Sequence, residues 1–406
     1  MNQYAKHTES IARLPASSVI GPHGLVRAER PLRIVHCFRS PVGGLFRHVR
    51  DLVEAQRRAG HDVAIVCDSS TGGAFEERLF AEIAPTLSLG LHRFPMTREV
   101  SLADAAAAWR ALGEIRALGP DVIHAHGAKG GAYARIIGTL LRATGTRVAR
   151  IYTPHGGSLH YDPQSRQGKA YFAMERLLGH MTDAFVFVSQ YEADAYIAKV
   201  GKPKAPVAIA LNGLREEEFD VVTPDADARD FLFIGMMRSL KGPEDFIRAL
   251  ALIRERTGRA PTAWMVGDGD EKPWFRQLAK VLNLDKAIAF RDAMPARQAF
   301  ALAHAVVAPS RAESMPYLIL ESIAAGMPTI ATRVGGLPEI FGAESDRLVP
   351  AQNPAALADA MMRALDDPAG APADAARLRA MIRPRFAVEA MAATVAGAYA
   401  RVVTPR

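Results

Sequence analysis

The stretch His304–Ile340, HAVVAPSRAESMPYLILESIAAGMPTIATRVGGLPEI, decides how the rest of the chain is read. Val306, Val307 and Ala308 form an apolar run suited to a buried strand, and Thr329 to Thr332 form a second. Between them lie a loop carrying Glu313 and a helix carrying Glu321, eight positions on. Pro316 suits the helix start, because a proline there gives up only an N–H that has no intrahelical partner. The free N–H groups of Tyr317 and Leu318 then favour an anion. Carboxylates repel phosphate, so two glutamates beside an anion site make sense if they bind hydroxyls flanking a diphosphate, as in a nucleotide sugar. Gly335-Gly336 turns the chain into a further helix.

Working outward, the same alternation of strand and helix fills the chain. Arg33–Phe38 reads as a buried strand, followed by Gly43-Gly44 and an amphipathic helix to about Ala59. Val63–Cys67 is the next strand. A helix over about 103–118, the strand Val122–Ala125, a helix from Gly130 to Leu141 and a strand from Arg147 to Tyr152 continue the pattern. The loop Thr153-Pro-His-Gly-Gly157, a helix over about 168–180, Ala184–Val188, a helix from Gln190 and Val207–Ala210 complete the first run. Residues 214–229 are acidic and poor in apolar residues, a linker composition. The pattern restarts with strands at Phe231–Ile234, Ala263–Val266 and Ile288–Phe290, separated by helices over about 242–256, 272–282 and 296–303.

These spans predict an α/β protein of two Rossmann-like domains facing each other across a cleft, with ligands meeting the loops after the strand C-termini. The expected boundaries are 31–213 for the first domain, 214–229 for the linker and 230–382 for the second domain. Residues 383–406 contain a last helix, about Phe386 to Val402, placed to cross back to the first domain. Residues 1–30 read as a flexible extension, with no continuous apolar segment resembling a signal peptide or an anchor.

Composition narrows the function. At 406 residues, 49% apolar and 23% charged, the chain matches a soluble enzyme of two domains. The net charge of +7 suits an anionic ligand or an anionic membrane surface. Its basic residues are dispersed rather than interleaved with aromatics, which gives no support to nucleic-acid binding. Two cysteines, Cys37 and Cys67, supply neither a disulfide framework nor a metal set, and read as small buried apolar residues in a cytoplasmic protein. His124 and His126 read as structural histidines rather than metal ligands. Asp225-Ala-Asp227 and Asp268-Gly-Asp270 read as ordinary loop acids. A dinucleotide dehydrogenase is disfavoured, because neither domain has Gly-x-Gly-x-x-Gly between a strand and a helix.

Four features in order carry a resemblance over residues 32 to about 400: Gly43-Gly44, Arg238 with Lys241-Gly242, Glu313-x7-Glu321, and Gly335-Gly336-Leu-Pro-Glu339. The chain resembles the retaining glycosyltransferases of family 4, of the GT-B fold and the bacterial surface-polysaccharide type. The stretch Ser314–Tyr317 lacks the glycine that many such proteins carry after the first glutamate. The resemblance implies a metal-independent hexosyltransferase needing no cofactor, with Glu313, His155, Arg238 and Lys241 as the catalytic set. Arg238 and Lys241 would contact the donor diphosphate, Glu313 the transferred sugar, and His155 would lie close to that sugar. Gly43, Gly44, Met315, Pro316, Tyr317, Leu318 and Glu321 would bind substrate, with Glu321 on the ribose. The implied partners are a nucleotide diphosphate sugar and a saccharide or lipid-linked saccharide acceptor, as in lipopolysaccharide or glycolipid synthesis. The implied location is cytoplasmic and peripheral at the inner membrane face. Two alternatives share the fold: a nucleotide-sugar 2-epimerase, and a non-catalytic nucleotide-sugar-binding protein.

Overall fold

Short apolar runs bounded by turn residues become the strands of two wholly parallel sheets. A computed structural model describes residues 30–96, 103–367 and 370–403. The expected N-terminal extension lies, but for residue 30, outside the described residues. The first sheet contains β1 (Arg33–Phe38), β2 (Asp62–Asp68), β3 (Leu91–Phe94), β4 (Val122–His126), β5 (Ala149–Thr153), β6 (Ala184–Phe187) and β7 (Val207–Ile209). Their spatial order is β3-β2-β1-β4-β5-β6-β7. The second contains β8 (Arg229–Ile234), β9 (Ala263–Val266), β10 (Ile288–Arg291), β11 (Ala303–Ala308) and β12 (Thr329–Ala331), in the order β10-β9-β8-β11-β12. This is the two-domain Rossmann-like GT-B architecture.

The order of each sheet reverses once, between β1 and β4 in the first and between β8 and β11 in the second. Chain segments leaving neighbouring strands at such a point diverge to opposite faces and open a crevice beyond the strand ends. All five strand-end loops of interest, at Gly43, Gly127, His155, Lys241 and Glu313, follow β1, β4, β5, β8 and β11 at their C-termini. The sheets are buried on both faces, which explains the near-continuous apolar strands.

Several elements escaped the sequence reading. The helix Ala74–Ile83 precedes β3, which enlarges the first sheet, and the helices Pro354–Asp366 and Gly370–Ile382 follow the GGLPE segment. Residues 214–229, read as a linker, run largely exposed from the first sheet to β8, with Leu214 and Phe219 buried. Glu216–Phe219 makes a single tight turn that buries the Phe219 ring among Ile319, Leu320 and Phe386. The Arg379 guanidinium donates to the Phe219 carbonyl oxygen. The final helix, Val388–Ala400, lies against the first sheet, with Val395 and Tyr399 packed on Ile34, Leu52, Ile151 and Val186. Its entry is pinned by the bridge between Leu214 and Ala387.

Candidate active site

The second-sheet wall is built on the loop after β11. There Glu313 turns its Oε1 back to accept hydrogen bonds from Lys241 Nζ at 2.6 Å and from Ser310 Oγ at 2.8 Å. Lys241 ends a one-turn helix, Ser239–Lys241, that follows β8. Gly335 supports the glutamate loop from behind: its φ is +57° and a Cβ there would lie 1.6 Å from the Glu313 carbonyl oxygen. Only glycine satisfies both conditions. Gly336 N–H donates to the Ser314 carbonyl oxygen at 2.9 Å, completing the brace. The helix itself is Tyr317–Ala324, and Pro316 is its cap, at φ −77° and ψ 121°, rather than its first residue. The correction is one position, and it leaves the Tyr317 and Leu318 N–H groups at the start of the helix.

The first-sheet wall begins at Gly43, whose φ of +62° starts the helix Gly43–Arg58. Gly44 comes so near the other wall that a Cβ there would touch the Tyr317 ring at 3.4 Å. His155, in the loop after β5, adopts an uncommon φ of +52° for a residue with a side chain. The Glu192 carboxylate fixes that loop, accepting from Gly156 N–H and, at 2.9 Å, from Val188 N–H. Burial pushes the Glu192 carboxyl up to about 7.

Behind His155 lies a group of buried histidines. His155 Nε2 is 3.0 Å from His126 Nδ1, and His126 Nε2 is 2.9 Å from His36 Nδ1. His48 stands edge-on to His155 with ring centroids 4.7 Å apart. Burial pulls His36 and His48 down to about 4 and takes His124, His126 and His155 well below the usual histidine range. All five are therefore neutral near pH 7. His124 and His126 are fully buried with both ring nitrogens hydrogen-bonded.

The two walls enclose a cavity of about 320 Å³. Gly43, Gly44, His155, Lys241, Glu313 and Met315 line it, as do Pro316, Tyr317 and Leu318. Two of the expected site residues lie elsewhere. Arg238 is exposed and lines an adjoining cavity of about 480 Å³, which it shares with His155. Glu321 does not reach the wall of the first cavity; its carboxylate is held by Arg47 from the first domain. Arg47 also bonds Asp51 at 3.2 Å and Glu218, and stands 4.8 Å from the Tyr317 ring centroid. Burial raises the Glu321 pKa, against the pull of the Arg47 charge.

Four further residues support the walls and went unassigned in the sequence, and three of them, Arg47, Asn212 and Glu339, bond from one wall to the other. Arg47 is one. Asn212 is another: its Nδ2 donates to the Met315 carbonyl oxygen at 2.6 Å while its Oδ1 meets His48 Nδ1 at 2.9 Å. Glu192 braces His155, and Glu339 caps the first-domain helix Gln190–Lys199 by accepting from Gln190 and Tyr191 N–H at 3.0 and 2.7 Å. The available signals were slight: Asn212-Gly213 after a strand, and Glu339 as the last letter of GGLPE. Arg47 and Glu192 sit on helices with nothing local to mark them.

Comparison with known proteins accounts for both walls. Residues 42–218 match Glycosyltransferase Family 4, and residues 228–367 match Glycosyl transferases group 1. Glycogen synthase of Mycobacterium tuberculosis is 26% identical over 388 residues, covering 88% of this chain and 91% of its own. D-inositol 3-phosphate glycosyltransferase of Corynebacterium efficiens is 28% identical over 268 residues, 61% of this chain and 63% of its own. In fold, sucrose-phosphate synthase from Thermosynechococcus elongatus superposes with a TM-score of 0.73 at 22% identity, over 92% of this chain and 99% of the other. With one family domain on each side of the cleft, the chain belongs to the glycosyltransferases of the GT-B fold.

Proposed function

We propose that the protein moves a sugar from a nucleotide diphosphate sugar to a hydroxyl acceptor, with retention at the anomeric carbon. The observation that carries this reading is the Lys241–Glu313 pair facing His155 across one cavity, with a helix start between them. A diphosphate leaving group gains negative charge as the glycosidic bond breaks, so fixed positive ends aimed at it lower the barrier. Lys241, Arg238 and the Tyr317 and Leu318 N–H groups supply those positive ends, and the reaction needs no metal. Glu313 takes the hydroxyls of the transferred sugar, and His155 lies beside that sugar. Glu321 takes the ribose hydroxyls, exchanging its bond to Arg47 for them. Retention follows a front-face path, in which the departing phosphate oxygen receives the acceptor proton.

The acceptor is a saccharide, and a lipid-linked one suits the net charge of +7, which draws the protein to an anionic membrane face. No described helix is long and apolar enough to cross a membrane, so such contact is peripheral. Binding to anionic vesicles at low salt, reversed at high salt, is the expected result. No binding at low salt points to a soluble acceptor. The family matches favour transfer over epimerisation or mere binding.

A thermal-shift screen of UDP-, GDP- and ADP-sugars identifies the donor, because a ligand of the native state raises its melting temperature. With that donor, Glu313→Ala is expected to abolish transfer while melting near the parent protein. Near-normal transfer by that variant overturns the role of Glu313.

A further inference from the structure

The buried histidines form a continuous line that ends at the cleft. Its far end is Gln56, whose Oε1 lies 2.8 Å from His36 Nε2. From there the line runs through His36 Nδ1 to His126 Nε2 at 2.9 Å, and through His126 Nδ1 to His155 Nε2 at 3.0 Å. A neutral imidazole has one N–H and one bare nitrogen, so the state of each ring dictates the next. If Gln56 accepts from His36 Nε2–H, then His36 Nδ1 is bare and His126 Nε2 carries a proton. His126 Nδ1 is then bare, His155 Nε2 carries a proton, and His155 Nδ1 is bare.

The line has one other complete register, reached by rotating the Gln56 amide half a turn and reversing every link. The distances around Gln56 choose between them. Gln56 Nε2 is 3.2 Å from the Tyr399 hydroxyl oxygen, and that oxygen is 2.7 Å from His124 Nδ1. A separation of 3.2 Å is ordinary for an amide N–H donating to oxygen but long for a hydroxyl donating to oxygen. The 2.7 Å contact suits the phenol O–H donating onto a bare imidazole nitrogen. The 2.8 Å contact suits His36 N–H donating to the amide oxygen. All three agree on the first register.

We infer that Gln56, acting through His36 and His126, sets His155 in the Nε2–H tautomer, so that a bare Nδ1 faces the cleft as a hydrogen-bond acceptor for a hydroxyl of the bound sugar. His155 lines both cleft cavities, and Nδ1 is neither bonded to another described residue nor sealed from solvent. The line carries orientation and no net proton, because an amide oxygen at its end is too weak a base to take one. It also leaves no cation site among His36, His124 and His126, since every ring nitrogen of the three is already hydrogen-bonded. Gln56 is a positioning residue: it is buried on the far side of two rings from the substrate.

The role assigned to Nδ1 rests on the sugar-transfer reading, whereas the tautomer does not, and the two are tested separately. Long-range proton–nitrogen correlation spectra of the ligand-free protein, labelled at histidine nitrogen, read each tautomer directly. The expected result is Nε2–H at His36, His126 and His155. Gln56→Met removes the acceptor at the end of the line, and His155 should then show a mixture of tautomers. With the identified donor, kcat in Gln56→Met should fall about three- to tenfold, the worth of one hydrogen bond made to the sugar. An Nδ1–H signal at His155 in the parent protein, or an unaltered His155 tautomer in Gln56→Met, overturns the inference. Correct tautomers with no fall in kcat overturn only the contact with sugar.

Discussion

The two walls of the cleft are made by opposite means. The second-sheet wall is ionic: Lys241 and Glu313 form a half-buried pair within reach of solvent. The first-sheet wall is neutral: five histidines, His155 among them, pack together and are held uncharged by burial. Charges close to the solvent can change partners at little cost, so the ionic wall suits binding and release of an anionic leaving group. Buried neutral rings cannot change partners without leaving a polar atom unsatisfied, so the neutral wall suits holding one geometry. The difference is one of tasks: one wall answers charge and the other fixes shape.

Removing the ionic wall's cation should have the largest effect. Lys241→Met is expected to lower kcat about 10²–10³-fold, as loss of one fixed donor to a developing negative charge does elsewhere. Steady-state rates with the identified donor check it. A rise in KM with kcat unchanged shows instead that Lys241 binds ground and transition states alike.

Arg47 crosses between the walls, and its loss is the test of how far they are one unit. Arg47→Met leaves Glu321, Glu218 and Asp51 without their shared cation in a mostly buried place. Breaking such a group from one side costs about 3–5 kcal/mol. Urea unfolding followed by fluorescence and by far-ultraviolet dichroism checks this. A lowered midpoint with coincident curves is the expected outcome, and a midpoint unchanged from the parent shows that the ion group contributes nothing net.

The ionic wall was largely legible in the sequence and the neutral one was not, for a physical reason. Glu313, Tyr317, Leu318 and Glu321 lie within nine residues, where loop and helix geometry alone relate them. His36, His48, His124, His126 and His155 are spread over 120 residues, and only sheet register joins them. His36 stands directly beside His124 in the parallel pairing of β1 with β4, and His126 follows on the same face, two residues on. That pairing depends on β4 lying next to β1, which strand patterns do not state. The one visible cue is His-Ala-His at 124–126, and its link to His155 was out of reach. In the fold, β3 escaped notice because Leu-His-Arg-Phe is an edge strand with only Phe94 buried. In residues 214–229 a polar composition conceals Phe219, one buried ring that anchors the turn.

The neutral wall should also respond to pH through Glu192, which braces the His155 loop. Burial lifts this acid from 4.5 to about 7 in the folded protein. An acid whose folded pKa exceeds its unfolded one stabilises the fold most when protonated, and stability falls as pH rises between the two values. The loss due to this group is about 3 kcal/mol by pH 8. Glu192→Gln should flatten that part of the stability profile between pH 5 and 8, measured by urea midpoints. An unchanged slope shows that Glu192 is ionised in the fold and braces the loop as a carboxylate throughout.

The smallest expected effect belongs to the one residue of the GGLPE segment that serves the opposite wall. Glu339 places its two carboxylate oxygens on the N–H groups of Gln190 and Tyr191, at the start of the helix Gln190–Lys199. Those N–H groups have no partner inside their helix, and the helix start carries partial positive charge. Glu339→Gln retains the size of the side chain and one accepting oxygen while removing the charge. The cost should be about 0.5–1 kcal/mol at low ionic strength and should shrink as salt screens it. If the cost is instead independent of salt, the second hydrogen bond rather than the charge holds the two walls together at this point. The comparison then sharpens: the ionic wall would end at Lys241 and Glu313, with Glu339 belonging to the hydrogen-bonded framework that keeps His155 in place.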